Sequence, residues 1–513
     1  MSAPRLGVVG AGTMGAGIAR LAGEHGVPTV LHDADPAALE RALSRLRDPA
    51  AEHVRGAAAL DELAGCEVVI EAVPEDLDLK RDLLGRIAAV VGDDCVLATN
   101  TSSLSVTAVA RDVPRPQRVV GLHFFNPPHR MRLVELVAGD ETEPPALERA
   151  AALAAALGRE VVRAADTIGF LVNRANRPFV LEAQRLVTER VATVEQIDRI
   201  VRLGGGFPMG PFELQDLIGI DVNLAIARSF HEQSFGEPRW RPSPLSARMV
   251  AAGRLGRKTG RGWYAYDANG RAQRPPDPPA PPEPDATAGG GRLVVIAGDL
   301  VVAHELRMLA DDAGWDVRQP EDVDGEVPEL ILDCGAQPDE HPLQGGPQAL
   351  LLADGSLAQL DPGGTSVGFH ALPPLAPGGL VELTRSSDSS DHAARAAEEF
   401  FASLGLRTEW VGDAPGLVLG RIVCQLVNEA AFAIGEGVGS VDDLDTGMVL
   451  GLNHPRGPLR WGDEIGLDHV LGVLDALFDE RREERYRAAP LLRRLVAEGR
   501  TGILAGEGFH RHD

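Results

Sequence analysis

One stretch of this chain occurs twice. At a constant offset of 247, Gly121 and His123 fall on Gly368 and His370, and Leu133-Val-Glu-Leu136 falls on Leu380-Val-Glu-Leu383. The same shift carries Asp166 to Asp413, Gly169 to Gly416, Arg174 to Arg421 and Asp198 to Asp445. It also carries Gly210-Pro211 to Gly457-Pro458, and Ile218-Gly219 with Asp221 to Ile465-Gly466 with Asp468. Such a gap-free match describes a duplication, so both halves start from one architectural plan. Between them, Arg274–Pro284 is too rich in proline to hold a helix or a sheet interior, and it reads as a linker.

The plan is legible in the first half. Arg5–Gly10 reads as a short buried strand, Met14–Glu24 as a helix, and Thr29–Asp33 as a second strand. Further strands are expected at Glu67–Glu71 and Cys95–Thr99, with a helix around Leu77–Val91 between them. Strands alternating with helices imply a parallel, doubly wound sheet. From about Asp166 the pattern becomes helical, and Thr193-Val-Glu-Gln is a capping box that starts a helix at Thr193.

Between the first strand and helix lies Gly10-Ala-Gly12-Thr13-Met14-Gly15. The first glycine permits a tight turn, the second lets backbone approach a pyrophosphate, and the third lets helix pack on strand. The phosphates then meet free N–H groups at the helix start. Asp33, at the end of the next strand, stands where a carboxylate bonds a ribose hydroxyl and repels a 2′-phosphate, so NAD is expected rather than NADP. The expected fold is an α/β Rossmann domain (1–167) plus an all-α domain (168–270). A linker (271–290) and a degenerate second copy of both (291–412 and 413–513) follow.

His123 lies in Gly121-Leu-His-Phe-Phe-Asn126-Pro-Pro, an apolar strand that ends at a turn, and Glu135 in the apolar strand Leu133-Val-Glu-Leu-Val. A charge inside such a run is costly unless paired. The Asn126-Pro127-Pro128 turn would set the two strands side by side. The carboxylate then orients the imidazole and stabilises its protonated form, which is the logic of a general base held by a third group. A buried structural pair is the alternative.

Gly121-Leu-His-Phe-Phe-Asn-Pro, with Glu135 in Leu-Val-Glu, resembles the signature of the 3-hydroxyacyl-CoA dehydrogenase family. Asn100-Thr-Ser102-Ser-Leu, Gly169-Phe-Leu-Val-Asn173-Arg, Pro208–Asp216 and Lys258–Tyr264 are similar to that family too. The tandem arrangement resembles its longer bacterial members, which are associated with phenylacetate breakdown. The resemblance implies NAD-dependent oxidation of an L-3-hydroxyacyl-CoA, with 3-hydroxyadipyl-CoA and 3-hydroxybutyryl-CoA as candidate substrates. It makes His123 the base, Glu135 its holder, and Ser102 and Asn173 the groups that bond substrate oxygens. It also implies that Glu75, Lys80, Asn126 and Lys258 line the cofactor site, with no metal. Helical domains pair between subunits in the family. Here the second helical domain is expected to pair with the first inside one chain, and homodimerisation of whole chains stays open.

Two departures stand out. In the second half Ile296 and Val301 are read opposite Gly10 and Gly15, Gly355 opposite Ser102 and Gly420 opposite Asn173, so that half is expected to be inactive. Between Asp33 and Glu67 the chain holds one helix, around Pro36–Arg47, and a short second segment. Family members carry a longer helical excursion there that contributes to the CoA site. An NAD enzyme acting on a free hydroxy acid or sugar acid is therefore the second reading, and a non-catalytic nucleotide-binding scaffold the third.

Composition trims the field. With 50 Lys and Arg against 75 Asp and Glu, a nucleic-acid surface is not expected. Four scattered cysteines without a CxxC read as a reduced, cytoplasmic pattern. The N-terminus reads as lacking a signal peptide, and no apolar run is long enough for a membrane helix.

Overall fold

The computed structural model describes residues 5–340 and 342–512. The first four residues, on which the signal-peptide expectation rests, lie outside them. The chain forms two compact units, Met1–Ala175 with Glu436–Asn453, and Asn176–Gly435 with His454–Asp513. Each unit thus takes pieces from both halves of the sequence.

The first unit is built on an eight-stranded sheet in the order β3-β2-β1-β4-β5-β6-β7-β8. Its strands are β1 Leu6–Val9, β2 Thr29–His32, β3 Val54–Ala57, β4 Val68–Glu71, β5 Val96–Thr99, β6 Val119–Phe124, β7 Leu133–Ala138 and β8 Glu160–Ala165. Strands β1 to β6 are parallel, and β7 turns back against β6. Helices α1 Thr13–Glu24, α2 Pro36–Ser44, α3 Ala50–His53, α4 Leu77–Ala88, α5 Val106–Ala110 and α6 Pro144–Ala156 connect them, and α7 Val172–Ala175 follows β8. The central strands are apolar runs buried on both faces, as a covered parallel sheet requires. Two strands escape the sequence reading. β3 is a four-residue edge strand whose Val-Arg-Gly-Ala has no strand pattern, and Glu160–Ala165 carries Arg163 in mid-run.

The helix Val441–Leu452, from the second half, also belongs to this unit and packs on β7, β8 and α7. Just before it, the Val438 carbonyl accepts from Ala165 N at 2.7 Å, and Glu436 pairs with Arg174 at 2.7 Å.

The second unit opens with α8 Arg177–Thr188, α9 Val194–Leu203, α10 Pro211–Ile218, α11 Ile220–Gln233 and α12 Pro244–Ala251. Thr193 caps α9 through the reciprocal bonds the sequence implies, Thr193 N to Gln196 Oε1 and Gln196 N to Thr193 Oγ1. A two-stranded ribbon, β9 Ala265–Tyr266 with β10 Ala272–Gln273, precedes the extended proline stretch. A seven-stranded sheet follows, in the order β12-β11-β13-β14-β15-β16-β17. It comprises β11 Leu293–Ala297, β12 Asp316–Arg318, β13 Leu330–Asp333, β14 Gln348–Leu351, β15 Val367–His370, β16 Leu380–Arg385 and β17 Arg407–Trp410. Its helices are α13 Val301–Asp312, α14 Leu357–Leu360 and α15 Asp391–Ser403. Among the described residues no helix joins β13 to β14, where the first sheet has α4. The long α16 Leu419–Gly435 then packs along α8.

Arg421 of α16 is fully buried and bonds Glu182 Oε1 at 2.6 Å, Glu189 Oε2 at 2.6 Å and the Tyr486 hydroxyl at 2.7 Å. Burial alone would raise Glu182, but Arg421 and Arg185 beside it bring its carboxyl down to about 2. Arg421 with Glu189 here repeats Arg174 with Glu436 in the first unit, at the same offset of 247. Gly412 N to Val191 O, at 2.7 Å, likewise repeats Ala165 N to Val438 O with the halves exchanged.

Candidate active site

Cross-strand registers put Val9, Glu71, Thr99 and Gly121 in one row, so β1, β4 and β5 end together while β6 runs on past them to Phe124. Strand order reverses beside β1, and the crevice at such a point is where doubly wound sheets bind ligands. The Gly10 loop lies there. Gly10 has φ +104°, and a Cβ on it would come within 2.7 Å of the Ala72 carbonyl oxygen. A Cβ on Gly15 would run into the Gly10 carbonyl, whereas Gly12 faces open space. Gly12 caps α1 without a side-chain bond, so the N–H groups around Thr13 and Met14 are offered to an anion. Asp33 accepts from Ala11 N at 2.6 Å and Asp35 N at 2.8 Å, which ties β2 to the loop. Gly10, Gly12 and Asp33 line a cleft of about 470 Å³. These residues fit a dinucleotide without a 2′-phosphate.

Along the same edge β6 and β7 set His123 directly opposite Glu135. His123 Nδ1 lies 2.7 Å from Glu135 Oε2, and the carboxylate is wholly buried. Its other oxygen accepts from Leu171 N at 3.1 Å and Val172 N at 2.9 Å, so Glu135 also anchors the start of α7, which carries Asn173. Phe125 and Phe170 pack on the imidazole, with centroids at 4.7 and 6.1 Å. Among the described residues nothing bonds His123 Nε2. Asn100 Oδ1 accepts from Phe124 N at 2.9 Å and fixes the strand end beside the ring.

Ser102 sits in a loop held by Glu75. One Glu75 oxygen accepts from Thr101 Oγ1 at 2.6 Å, Ser102 N at 3.0 Å, and Ser103 N and Oγ at 3.1 and 2.9 Å. Burial would raise the Glu75 carboxyl, but the Thr101 bond and Lys80 bring it below its ordinary range. Lys80 is no surface lysine. It is 1% exposed, with Nζ 2.9 Å from Glu71 Oε1, and Glu71 in turn accepts from Thr99 Oγ1. The sequence reading missed Glu71, although a charge ending an apolar strand was a visible signal. Asn126 is exposed at the turn. Lys258 belongs to the other unit and pairs there with Asp221 at 2.6 Å.

The second copy reproduces the frame with different contacts around the histidine. His370 faces Glu382 in register, and Glu382 accepts from Val418 N and Leu419 N at 2.7 and 2.8 Å. Yet His370 bonds His469, Nε2 to Nε2 at 3.0 Å, and its Nδ1 is buried without a partner. Buried without a cation, the Glu382 carboxyl is pushed up to about 8, and burial holds His370 well below its ordinary value. A side chain at Gly420, opposite Asn173, would collide with the His370 ring.

Two alignments from the sequence need correction. Ala72 N bonds Val9 O as Cys334 N bonds Ala297 O, so Gly298, at φ +92°, is the counterpart of Gly10. Gly298 therefore replaces Ile296 as the residue opposite Gly10, Leu300 and not Gly298 stands opposite Gly12, and Ala303 and not Val301 opposite Gly15. Asp166 caps Val106 N and Thr107 N as Asp413 caps Leu357 N and Ala358 N, which sets Ala353, not Gly355, opposite Ser102. Side chains still block the loop, and the hydroxyl is still lost.

A ring that can take a proton, beside a loop that would hold the dinucleotide able to take a hydride, is the arrangement of an NAD-dependent oxidoreductase. A family model described as "3-hydroxyacyl-CoA dehydrogenase, NAD binding domain" matches residues 5–167. The corresponding "C-terminal domain" model matches residues 169–266 and again 416–512. The chain belongs to the 3-hydroxyacyl-CoA dehydrogenase family. It is 34% identical over 511 residues to a 3-hydroxyadipyl-CoA dehydrogenase of Escherichia coli K12, covering 95% of this chain and 96% of that one. Its first half is 43% identical over 281 residues to a 3-hydroxybutyryl-CoA dehydrogenase of Mycobacterium tuberculosis, covering 51% of this chain and 98% of that one. A crystal structure of 3-hydroxybutyryl-CoA dehydrogenase from Escherichia coli K12 matches with a TM-score of 0.79 and 32% identity. It covers 97% of this chain and 100% of that one.

Proposed function

We propose that the chain oxidises an L-3-hydroxyacyl-CoA to the 3-oxoacyl-CoA at one site, in its first half. The observation that carries this is the His123–Glu135 pair at 2.7 Å, with Nε2 unpartnered among the described residues, on the sheet edge that holds the Gly10 loop. His123 Nε2 takes the proton of the 3-hydroxyl while the C3 hydride leaves. Glu135 holds the ring and stabilises its charged form. Ser102 and Asn173 bond the substrate oxygens and orient C3. NAD, when bound, supplies the hydride acceptor; the Gly10–Gly15 loop takes its diphosphate and Asp33 its ribose. Glu75 and Lys80 shape the wall beside it, with Asn126 as a further cofactor residue.

A dicarboxylic substrate such as 3-hydroxyadipyl-CoA is the preferred reading, because the relative that spans the whole chain is named for it. 3-Hydroxybutyryl-CoA is the second reading, because relatives of the first half are named for that substrate. We read the contacts of Val441–Leu452 with the first sheet, and of α8 with α16, as an intramolecular form of subunit pairing. No helix among the described residues is long and apolar enough to cross a membrane, and the four cysteines are free and buried, in keeping with a cytoplasmic setting.

Reduction of acetoacetyl-CoA by NADH, followed by absorbance loss, tests the reading. His123→Gln is expected to lower kcat by about 10²- to 10⁴-fold. Unchanged turnover, or activity on free hydroxy acids alone, would overturn it.

A further inference from the structure

The reaction above gives no task to Glu71, a wholly buried carboxylate at the end of β4. Each of its oxygens already accepts twice, which fills a carboxylate. Oε1 accepts from Lys80 Nζ at 2.9 Å and from Thr99 Oγ1, and Oε2 from Lys80 Nζ at 3.0 Å and Val73 N at 3.2 Å. Glu71 is thus closed to substrate and cofactor, and what it does must pass through Lys80.

Lys80, on α4, is equally buried, and its ammonium faces three acceptors: Glu71, the Val73 carbonyl at 3.3 Å and Glu75 Oε2 at 3.4 Å. Glu75 is the exposed end of this chain of charges. Its other oxygen gathers Thr101, Ser102 and Ser103, and so shapes the loop that carries the Ser102 hydroxyl. Two carboxylates compete for one ammonium, and the shorter contacts give it to Glu71.

The pair could merely pin α4 to the sheet. A buried ion pair is a poor device for stability, however, and the second half dispenses with it. Ala297 pairs with Asp333 as Val9 pairs with Glu71, and Asp333 lies beside Leu350 as Glu71 lies beside Thr99. Asp333 still accepts from Gly335 N at 3.0 Å, the bond that Val73 N makes to Glu71. The hydroxyl has become a leucine, Asp333 has no ion pair among the described residues, and burial raises its carboxyl. A sheet of the same plan therefore forms without the lysine or the threonine, in the copy whose loop has Ala353 opposite Ser102.

We propose that Glu71 is a positioning residue for the reaction: by holding Lys80 it fixes Glu75, and through Glu75 the loop that presents Ser102 to the substrate. The proposal rests on Ser102 bonding a substrate oxygen, as read above. Without the Glu71 charge, Lys80 turns wholly to Glu75 and draws that carboxylate off the loop N–H groups. The hydroxyl then loses its fixed place, and small misplacements of such groups slow turnover.

Glu71→Gln keeps the shape and removes the charge. Its kcat for acetoacetyl-CoA reduction is expected to fall about tenfold, but less than about twofold when Ser102→Ala is already present, because that loop has no hydroxyl left to misplace. Equal losses in the two backgrounds, or no loss in the first, overturn the proposal, since a pin on α4 would act alike in both. Hydrogen–deuterium exchange supplies a second arm. The Ser102 and Ser103 amides are expected to exchange about tenfold faster in Glu71→Gln while those of β6 do not change, and a uniform or absent effect overturns the proposal. If Glu71→Gln does not fold, Glu71→Gln/Lys80→Met, which removes both buried charges, takes its place in both arms against the same expectations. If the unaltered chain reduces no acyl-CoA, the dehydrogenase reading fails, and the exchange arm alone decides whether Glu71 orders the loop.

Discussion

At the scale of single residues, the same histidine–glutamate pair occurs twice and differs in what the ring bonds. His123 reaches Glu135, while His370 turns to His469. Sequence spacing gives both pairs and cannot choose between them, because the choice depends on Gly420 and on His469, which meets His370 from 99 residues along the chain. His370→Gln should therefore leave acetoacetyl-CoA reduction nearly intact, and a loss as large as that of His123→Gln would refute an inactive second copy. Glu382 supplies a pH signature. With its folded value raised to about 8, the fold keeps a proton there that an unfolded chain releases near pH 4.3. The stability it contributes is fully present below that lower value and is lost as pH rises through the upper one. Glu382→Gln should thus gain melting temperature relative to the unaltered chain as pH rises from about 5 to 9. A pH-independent difference would contradict a neutral buried carboxyl.

Among elements, the cofactor loop was fully legible in the first half because three glycines, a strand and a helix agree. In the second half only the turn glycine survives, and sequence alone set it two positions out of register. Hydrogen bonds from Ala72 and Cys334 decide the alignment. With Leu300 and Ala303 in the loop, and no helix among the described residues between β13 and β14, the second sheet has side chains where the first has glycines and no described counterpart of the helix that carries Lys80. Calorimetric titration should find one NAD per chain; two would contradict this. The edge strand β3 was illegible for a plainer reason. Its four residues follow the backbone of β2 and carry no alternation of their own.

For the whole molecule, the duplication was legible, but how its pieces combine was not, since nothing in a repeat says which copy a helix will pack on. Arg421 is the point to test. It neutralises Glu182 inside a core that excludes water, so Arg421→Ala would strand a buried carboxylate. The expected cost is about 3–5 kcal/mol in urea denaturation. A cost near zero would show that Glu182 is relieved by Arg185 alone.

The exchanged hydrogen bonds, Ala165 to Val438 and Gly412 to Val191, carry a genetic consequence. In an association of identical subunits, any substitution at a two-fold contact strikes both sides at once. Here each side is encoded separately. One lobe could shed its glycines, its hydroxyl and its asparagine while the surface it presents to the other stayed under independent selection. On the reading that the two halves stand for paired subunits, fusion turns a symmetric contact into two heritable traits, a freedom that would let half of a catalyst specialise as support.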